Sequence, residues 1–296
     1  MADAVTVEEL VRGCARRLDA AGLHYGHGTD NPLDEALWLV AHALGLSLPL
    51  GEAALARRVG ASARARAEAL VAQRIATRKP AAYLTGRAWF AGLEFVVDER
   101  VLVPRSPFAE LLEDGMRRWL EPARVRRVLE LGTGSGCIAV AAALAFPKAE
   151  VHAVDISAAA LAVARQNLER HGLERRVRLF EGDLYAPVSG ERYDLIISNP
   201  PYVPQAEVRG LPPEYGHEPG LGLASGADGL SHPLRIVDGA AARLAGDGWL
   251  ALEVGLTRRA LERARPGVRW RWPRLLRGGE GIGLAARADL AGAAAA

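Results

Sequence analysis

After Pro122, short apolar runs of strand length alternate with helical stretches almost to the end of the chain. This alternation restricts the fold to a mostly parallel sheet with crossover helices. The first run, Arg127-Val128-Leu129-Glu130-Leu131, passes directly into Gly132-Thr133-Gly134-Ser135-Gly136 and then into a helix over Cys137 to Ala145. Val151 to Val154 reads as the second strand, Val177 to Phe180 the third, Tyr193 to Ile197 the fourth and Gly248 to Val254 the fifth. Val268 to Trp272 and Ile282 to Ala286 read as the last two, and Leu234 to Leu244 as a helix. Open α/β sheets bind ligands outside the carboxyl ends of their strands, so the residues that stop each run are the candidates for chemistry.

Glycines at alternate positions let the backbone turn tightly and let a ligand approach without meeting a Cβ. The second strand stops at Asp155, about 20 residues beyond the loop, where an acid can take both hydroxyls of a ribose. Together these features predict a nucleoside cofactor. A dinucleotide loop spaces its glycines Gly-x-Gly-x-x-Gly to seat a pyrophosphate at a helix start. Here the spacing is Gly-x-Gly-x-Gly and Glu130 precedes it, which disfavours a phosphate and suits a cationic, amino-acid-bearing ligand. The third strand ends at Glu181-Gly182-Asp183-Leu184, offering Asp183 to an adenine amino group and Leu184 to its face. S-adenosylmethionine fits all three places.

The fourth strand ends in Ser198-Asn199-Pro200-Pro201-Tyr202. Two prolines stop its ladder, because neither donates a backbone hydrogen bond and each fixes φ at about −65°. Nearby carbonyls lose their ladder partners, and Asn199 adds one side-chain acceptor and two donors. The arrangement suits holding a planar N–H2 group. An ordinary strand-ending turn is the bland alternative, and the cofactor motifs upstream weigh against it.

Before Pro80 the pattern is helical: Leu10, Val11, Cys14 and Leu18, then Leu33 to Leu44 between Asn31-Pro32 and Gly45, then a run after Gly60 carrying Ala69, Leu70, Ala72 and Ile75. His24, His27 and His42 lack partners at metal-ligand spacing and read as structural. Arg57, Arg58, Arg64, Arg66, Arg74, Arg78 and Lys79 form a basic stretch, expected as a solvated helix face that could also make a weak contact with ribosomal RNA. The net charge of +2 is too small for binding nucleic acid through the whole surface. Trp89 to Val103 reads as a hairpin ending in Pro104-Arg105-Ser106-Pro107, where a guanidinium fixed between prolines suits a carboxylate or an aromatic ring. Phe108 to Leu120 returns to helical spacing. The organisation expected is a helical recognition domain over 1–80, a bridging hairpin over 81–107 and a cofactor domain over 108–296, with an alanine-rich tail over 291–296.

A long irregular segment, Val203 to Ser231, contains Glu214, Tyr215, His217 and Glu218, whose spacing defines no catalytic pair. The two cysteines, Cys14 and Cys137, lie too far apart for a disulfide framework or thiolate zinc site to be expected. The first residues carry no basic segment followed by a long apolar run, and no stretch reaches the ~18 to 20 apolar residues of a membrane span, so a cytoplasmic protein is expected.

Glu130 to Gly136, Asp155, Gly182-Asp183-Leu184 and Asn199-Pro200-Pro201-Tyr202 together resemble the motifs of class I methyltransferases that modify the side-chain amide nitrogen of glutamine. The match extends over most of the chain, including the helical domain and the hairpin. Val97 to Pro107 and Leu211 to Pro219 resemble the branch acting on the third large-subunit ribosomal protein. The branch acting on peptide chain release factors follows its Pro-Arg pair with proline, aspartate, threonine and glutamate, whereas this chain has Ser106-Pro107-Phe108-Ala109-Glu110.

The resemblance implies an α/β, Rossmann-like, seven-stranded sheet with one antiparallel strand, S-adenosylmethionine as cofactor and no metal. It implies cofactor contacts from Glu130, Gly132, Thr133, Gly134, Ser135, Gly136, Asp155, Asp183, Leu184 and Asn199. Asn199, Pro200 and Tyr202 take the catalytic roles, and Asn199, Pro200, Pro201, Tyr202 and Arg105 contact a ribosomal protein substrate, free or within an assembling large subunit. Methylation of a release-factor glutamine or of a nucleic-acid base amine are the enzymatic alternatives. A non-catalytic assembly factor gripping ribosomal precursors through the basic helices is the alternative from another class.

Overall fold

The computed structural model describes residues 5–277 and 281–291, so the tail over 292–296 lies outside the described residues. Three helices form most of the amino-terminal domain: Val7–Ala20, Pro32–Leu44 and Ala61–Thr77. The first starts in a reciprocal cap between Thr6 and Glu9. In the second, the Asn31 side chain accepts from the N–H groups of Leu33 and Asp34, and Gly45 closes the helix in the left-handed conformation. The third departs from expectation. Its buried stripe is Ala67, Val71 and Arg74, not the apolar positions 69, 70, 72 and 75, because the carboxylates of Glu35 and Glu214 give the Arg74 guanidinium its partners inside.

A two-stranded hairpin, β1 (Arg87–Phe90) and β2 (Leu93–Val96), follows. Asn167, fully buried, secures it to the cofactor domain: its amide group exchanges hydrogen bonds with both backbone groups of Val96 and donates to the Ser135 carbonyl. The hairpin and the glycine loop are therefore held by one side chain.

The main sheet contains β3 (Arg127–Leu131), β4 (Glu150–Asp155), β5 (Val177–Glu181), β6 (Tyr193–Ser198), β7 (Leu244–Glu253) and β8 (Ile282–Ala286), in the order β5-β4-β3-β6-β7-β8. Only β8 runs antiparallel. The seventh strand expected around Val268 to Trp272 is reduced, among the described residues, to a single bridge in which Arg271 and Leu284 exchange two backbone hydrogen bonds. The segment does not extend the ladder because the Trp270 N–H turns back to the Val268 carbonyl and Pro273 has no N–H to give. Helices Cys137–Ala145 and Ala158–His171 contribute to the apolar cluster on one face, and Ser231–Ala240 and Arg258–Ala264 to that on the other. Coverage on both faces explains why β3, β6 and β7 read as apolar runs instead of alternating ones. The carboxyl ends of β3, β4, β6 and β7 consequently gather at one edge.

Candidate active site

Three glycines shape the turn after β3: Gly132, Gly134 and Gly136 have φ of 75°, 54° and 79°. The Gly132 and Thr133 N–H groups both donate to the Val154 carbonyl, folding the loop across the end of β4. At Gly136 a Cβ would lie 3.2 Å from that of Ala164, so the close seating of the following helix also needs glycine. Asp155 is oriented by two backbone donors, Gly134 to Oδ2 at 2.8 Å and Ser157 to Oδ1 at 2.9 Å. Both oxygens retain a second lone-pair direction for a diol.

Glu130 is 1% exposed, and Thr133 Oγ1 donates to its Oε2 at 2.6 Å. Burial pushes its carboxyl up to about 8, with Asp155 adding and the Thr133 hydrogen bond opposing. A buried carboxyl this short of positive partners fits an ammonium-bearing cofactor, whose charge would favour its ionised form, whereas a pyrophosphate would disfavour that form further. Asp183 lies two residues beyond the end of β5. Its Oδ2 accepts from Arg235 at 2.6 Å, and that hydrogen bond holds the carboxyl below the usual range. The pair is about half exposed and, among the described residues, leaves Asp183 Oδ1 open, so Asp183 and the left-handed Leu184, at φ 48°, both stand as candidate contacts.

Ser198 anchors the end of β6 by donating to the Leu131 carbonyl at 2.7 Å. Asn199 follows immediately, and among the described residues no hydrogen bond reaches its side chain or the Pro200 carbonyl. Tyr202 closes the turn and donates from its hydroxyl to Glu253 Oε1 at 3.0 Å. Ser106, from the segment after the hairpin, donates to Glu253 Oε2. Burial pushes the Glu253 carboxyl up and the two hydroxyl donors oppose it. Gly255, at φ 47°, lies under the Tyr202 ring, where a Cβ would come within 2.8 Å of the ring carbon Cε2. Gly255→Ala is therefore expected to displace the ring and destabilise the fold by at least ~1 to 2 kcal/mol from the left-handed backbone alone. Denaturant unfolding of the variant checks this.

The irregular segment after Tyr202 is a brace between the domains. The Arg105 guanidinium makes two hydrogen bonds to the buried Glu218 carboxylate and lies 5.5 Å from the centre of the Tyr215 ring. Both partners expected of Arg105, a carboxylate and an aromatic ring, are thus supplied by this chain. Glu214, fully buried, accepts from the His24 N–H at 2.9 Å and forms ion pairs with Arg78 at 2.7 Å and Arg74 at 3.5 Å. Arg74 is 1% exposed and also pairs with Glu35, while Lys79 pairs with Glu99. The expected solvated basic face is thus largely neutralised from within at its carboxyl end. Helical spacing carried the signal, since Arg74 lies three residues beyond Val71 on the same stripe.

Burial would raise Glu218, yet His27 and Arg105 beside it bring it down to about 2. A carboxyl lowered on folding contributes stability that is fully present above its ordinary value of 4.5 and is lost as pH falls toward 2. The stability gap between the unsubstituted chain and Glu218→Gln is expected to narrow across that window in acid titrations followed by circular dichroism. A gap independent of pH would rule out the contribution.

Two family models match: the PrmC N-terminal domain over residues 9–86 and the methyltransferase small domain over residues 114–210. A ribosomal protein uL3 glutamine methyltransferase of Bordetella pertussis is 47% identical over 268 residues, covering 90% of each chain. The chain belongs to the uL3 glutamine methyltransferase family. The relative of that name from Burkholderia pseudomallei is 48% identical over 275 residues, again covering 90% of each chain, and that from Xanthomonas campestris is 46% identical over 277. The class I methyltransferase fold and the helical amino-terminal domain are therefore those of the uL3 glutamine methyltransferase family. Two features of the site escaped sequence reasoning. Glu253 showed only as an acid ending an apolar strand, and the brace pairs residues more than a hundred positions apart.

Proposed function

We propose that this chain transfers the methyl group of S-adenosylmethionine to the side-chain amide nitrogen of a glutamine in ribosomal protein uL3. The observation that carries the reading is the pair of unused acceptors, the Asn199 side-chain oxygen and the Pro200 carbonyl, beside a loop fitted to a cationic nucleoside. The cofactor supplies a sulfonium methyl group. Glu130 would receive its ammonium, Asp155 its ribose, Asp183 the amino group of its adenine and Leu184 the face, with Gly132 to Gly136 giving the backbone close approach.

A carboxamide nitrogen is a poor nucleophile because its lone pair is delocalised into the carbonyl. Asn199 and Pro200 accept its two N–H bonds and so direct the lone pair at the methyl group. Positive charge develops on nitrogen as the new bond forms, so these fixed acceptors stabilise the transition state more than the ground state. The N–C bond forms as the sulfur–methyl bond breaks, which leaves a neutral thioether, and one of the two amide protons passes to solvent to give the secondary amide. Tyr202 and Pro201 flank the amide plane, and Arg105 acts through the brace.

The substrate is met in the cytoplasm, free or within an assembling subunit. Because Arg74 and Arg78 are held by the buried Glu35 and Glu214, any RNA contact falls to the more exposed residues of the stretch, Arg57 and Arg66 among them. The test is to incubate the chain and labelled cofactor with undermethylated ribosomal proteins and, separately, with RNA freed of protein. Label in protein supports the reading, and label in the RNA overturns it.

A further inference from the structure

We propose that Glu253 is a positioning residue for the substrate-holding turn, fixing the Tyr202 ring beside the amide through the hydrogen bond from its hydroxyl. The inference rests on the reading that Tyr202 flanks the substrate. In the register of β6 and β7, Ser198 pairs with Leu252, so Asn199 and Glu253 leave adjacent strands at the same level. Glu253 is 4% exposed, and both its oxygens are occupied, one by Tyr202 and one by Ser106. A buried carboxylate without hydrogen bonds would be strongly disfavoured. The nearest source of positive charge, Arg105, is committed to Glu218.

The two hydroxyls therefore hold the carboxylate, and the carboxylate holds them. One link runs to the turn that carries Asn199, and the other runs to the segment leaving the hairpin, where the Ser106 oxygen also accepts from the Phe108 N–H at 3.1 Å. Tyr202 has no other side-chain hydrogen bond among the described residues, and its ring otherwise rests on Gly255. Loss of the hydroxyl contact frees the ring to rotate about its side-chain bonds, although its carbons can still rest on Gly255.

The test compares Glu253→Leu, which is close in size and has no acceptor, with Tyr202→Phe, which lacks only the hydroxyl, and with the double variant. Methyl transfer gives kcat and KM for the protein substrate, calorimetry gives cofactor affinity, and denaturant unfolding of the free protein gives stability. Each single variant is expected to lose about tenfold in kcat, the scale of one hydrogen bond to a charged group. Cofactor affinity stays within about twofold, and the double variant is no slower than the slower single one, because both substitutions break the same bond. Multiplied losses in the double variant, or unchanged kcat with lowered stability, would overturn the proposal. If the unsubstituted chain labels no ribosomal protein, the functional reading fails separately, and the unfolding cycle decides this one: coupled effects support the bond, and additive effects overturn it.

Discussion

Asn199→Ala is expected to lower kcat at least ~10²-fold, the loss seen on removing one preorganised polar partner of a transition state. The side chain has no partner within the chain among the described residues, so its removal leaves no buried group unsatisfied and the fold should survive. Cofactor affinity should fall far less than kcat, because Glu130, Asp155 and the glycine loop lie at the ends of other strands. The two quantities separate in one experiment, by single-turnover methyl transfer alongside calorimetric titration of S-adenosylmethionine. An Asn199→Ala variant with near-normal turnover would remove the basis for assigning the acceptor role.

The second large effect is on stability. Arg105→Ala strips the Glu218 carboxylate, whose side chain is fully buried, of its main cation. Breaking such a pair from one side typically costs ~3 to 5 kcal/mol, because the remaining charge stays buried. Arg105 is itself about a quarter exposed, so the lower part of that range is expected. Chemical denaturation measures it, and a loss below ~1 kcal/mol would mean that the brace is a surface contact in energetic terms. Because Glu214 and Glu218 tie the irregular segment to the helical domain and to the exit of the hairpin, the variant should also raise KM for a protein substrate more than it weakens the cofactor.

What the sequence made legible was local chemistry. Gly132 to Gly136, Asp155 and Asn199 to Tyr202 each stand within a few residues of a strand end, and type and spacing were enough to place them there. The helix from Cys137 to Ala145 and the caps at Asn31 and Gly45 were readable for the same reason. What escaped depends on contacts that spacing does not encode. Glu253 meets Ser106 across 147 positions, and Glu218 meets Arg105 across 113. Asp183 pairs with Arg235 on a later helix, a partner that spacing did not announce. Arg74 looked solvated because charge was read before periodicity. The reduced seventh strand failed on a detail of hydrogen bonding, the Trp270 N–H turning back next to Pro273.

The central claim is that the turn from Ser198 to Tyr202 presents a glutamine amide of a large-subunit ribosomal protein to the methyl donor. Incubation of the chain and isotopically labelled S-adenosylmethionine with undermethylated ribosomal proteins and release factors together, followed by peptide mass spectrometry, tests it most directly. The expected result is one labelled methyl group on a glutamine side-chain nitrogen of uL3. Label on a release-factor glutamine alone, or on any residue other than glutamine, would contradict it.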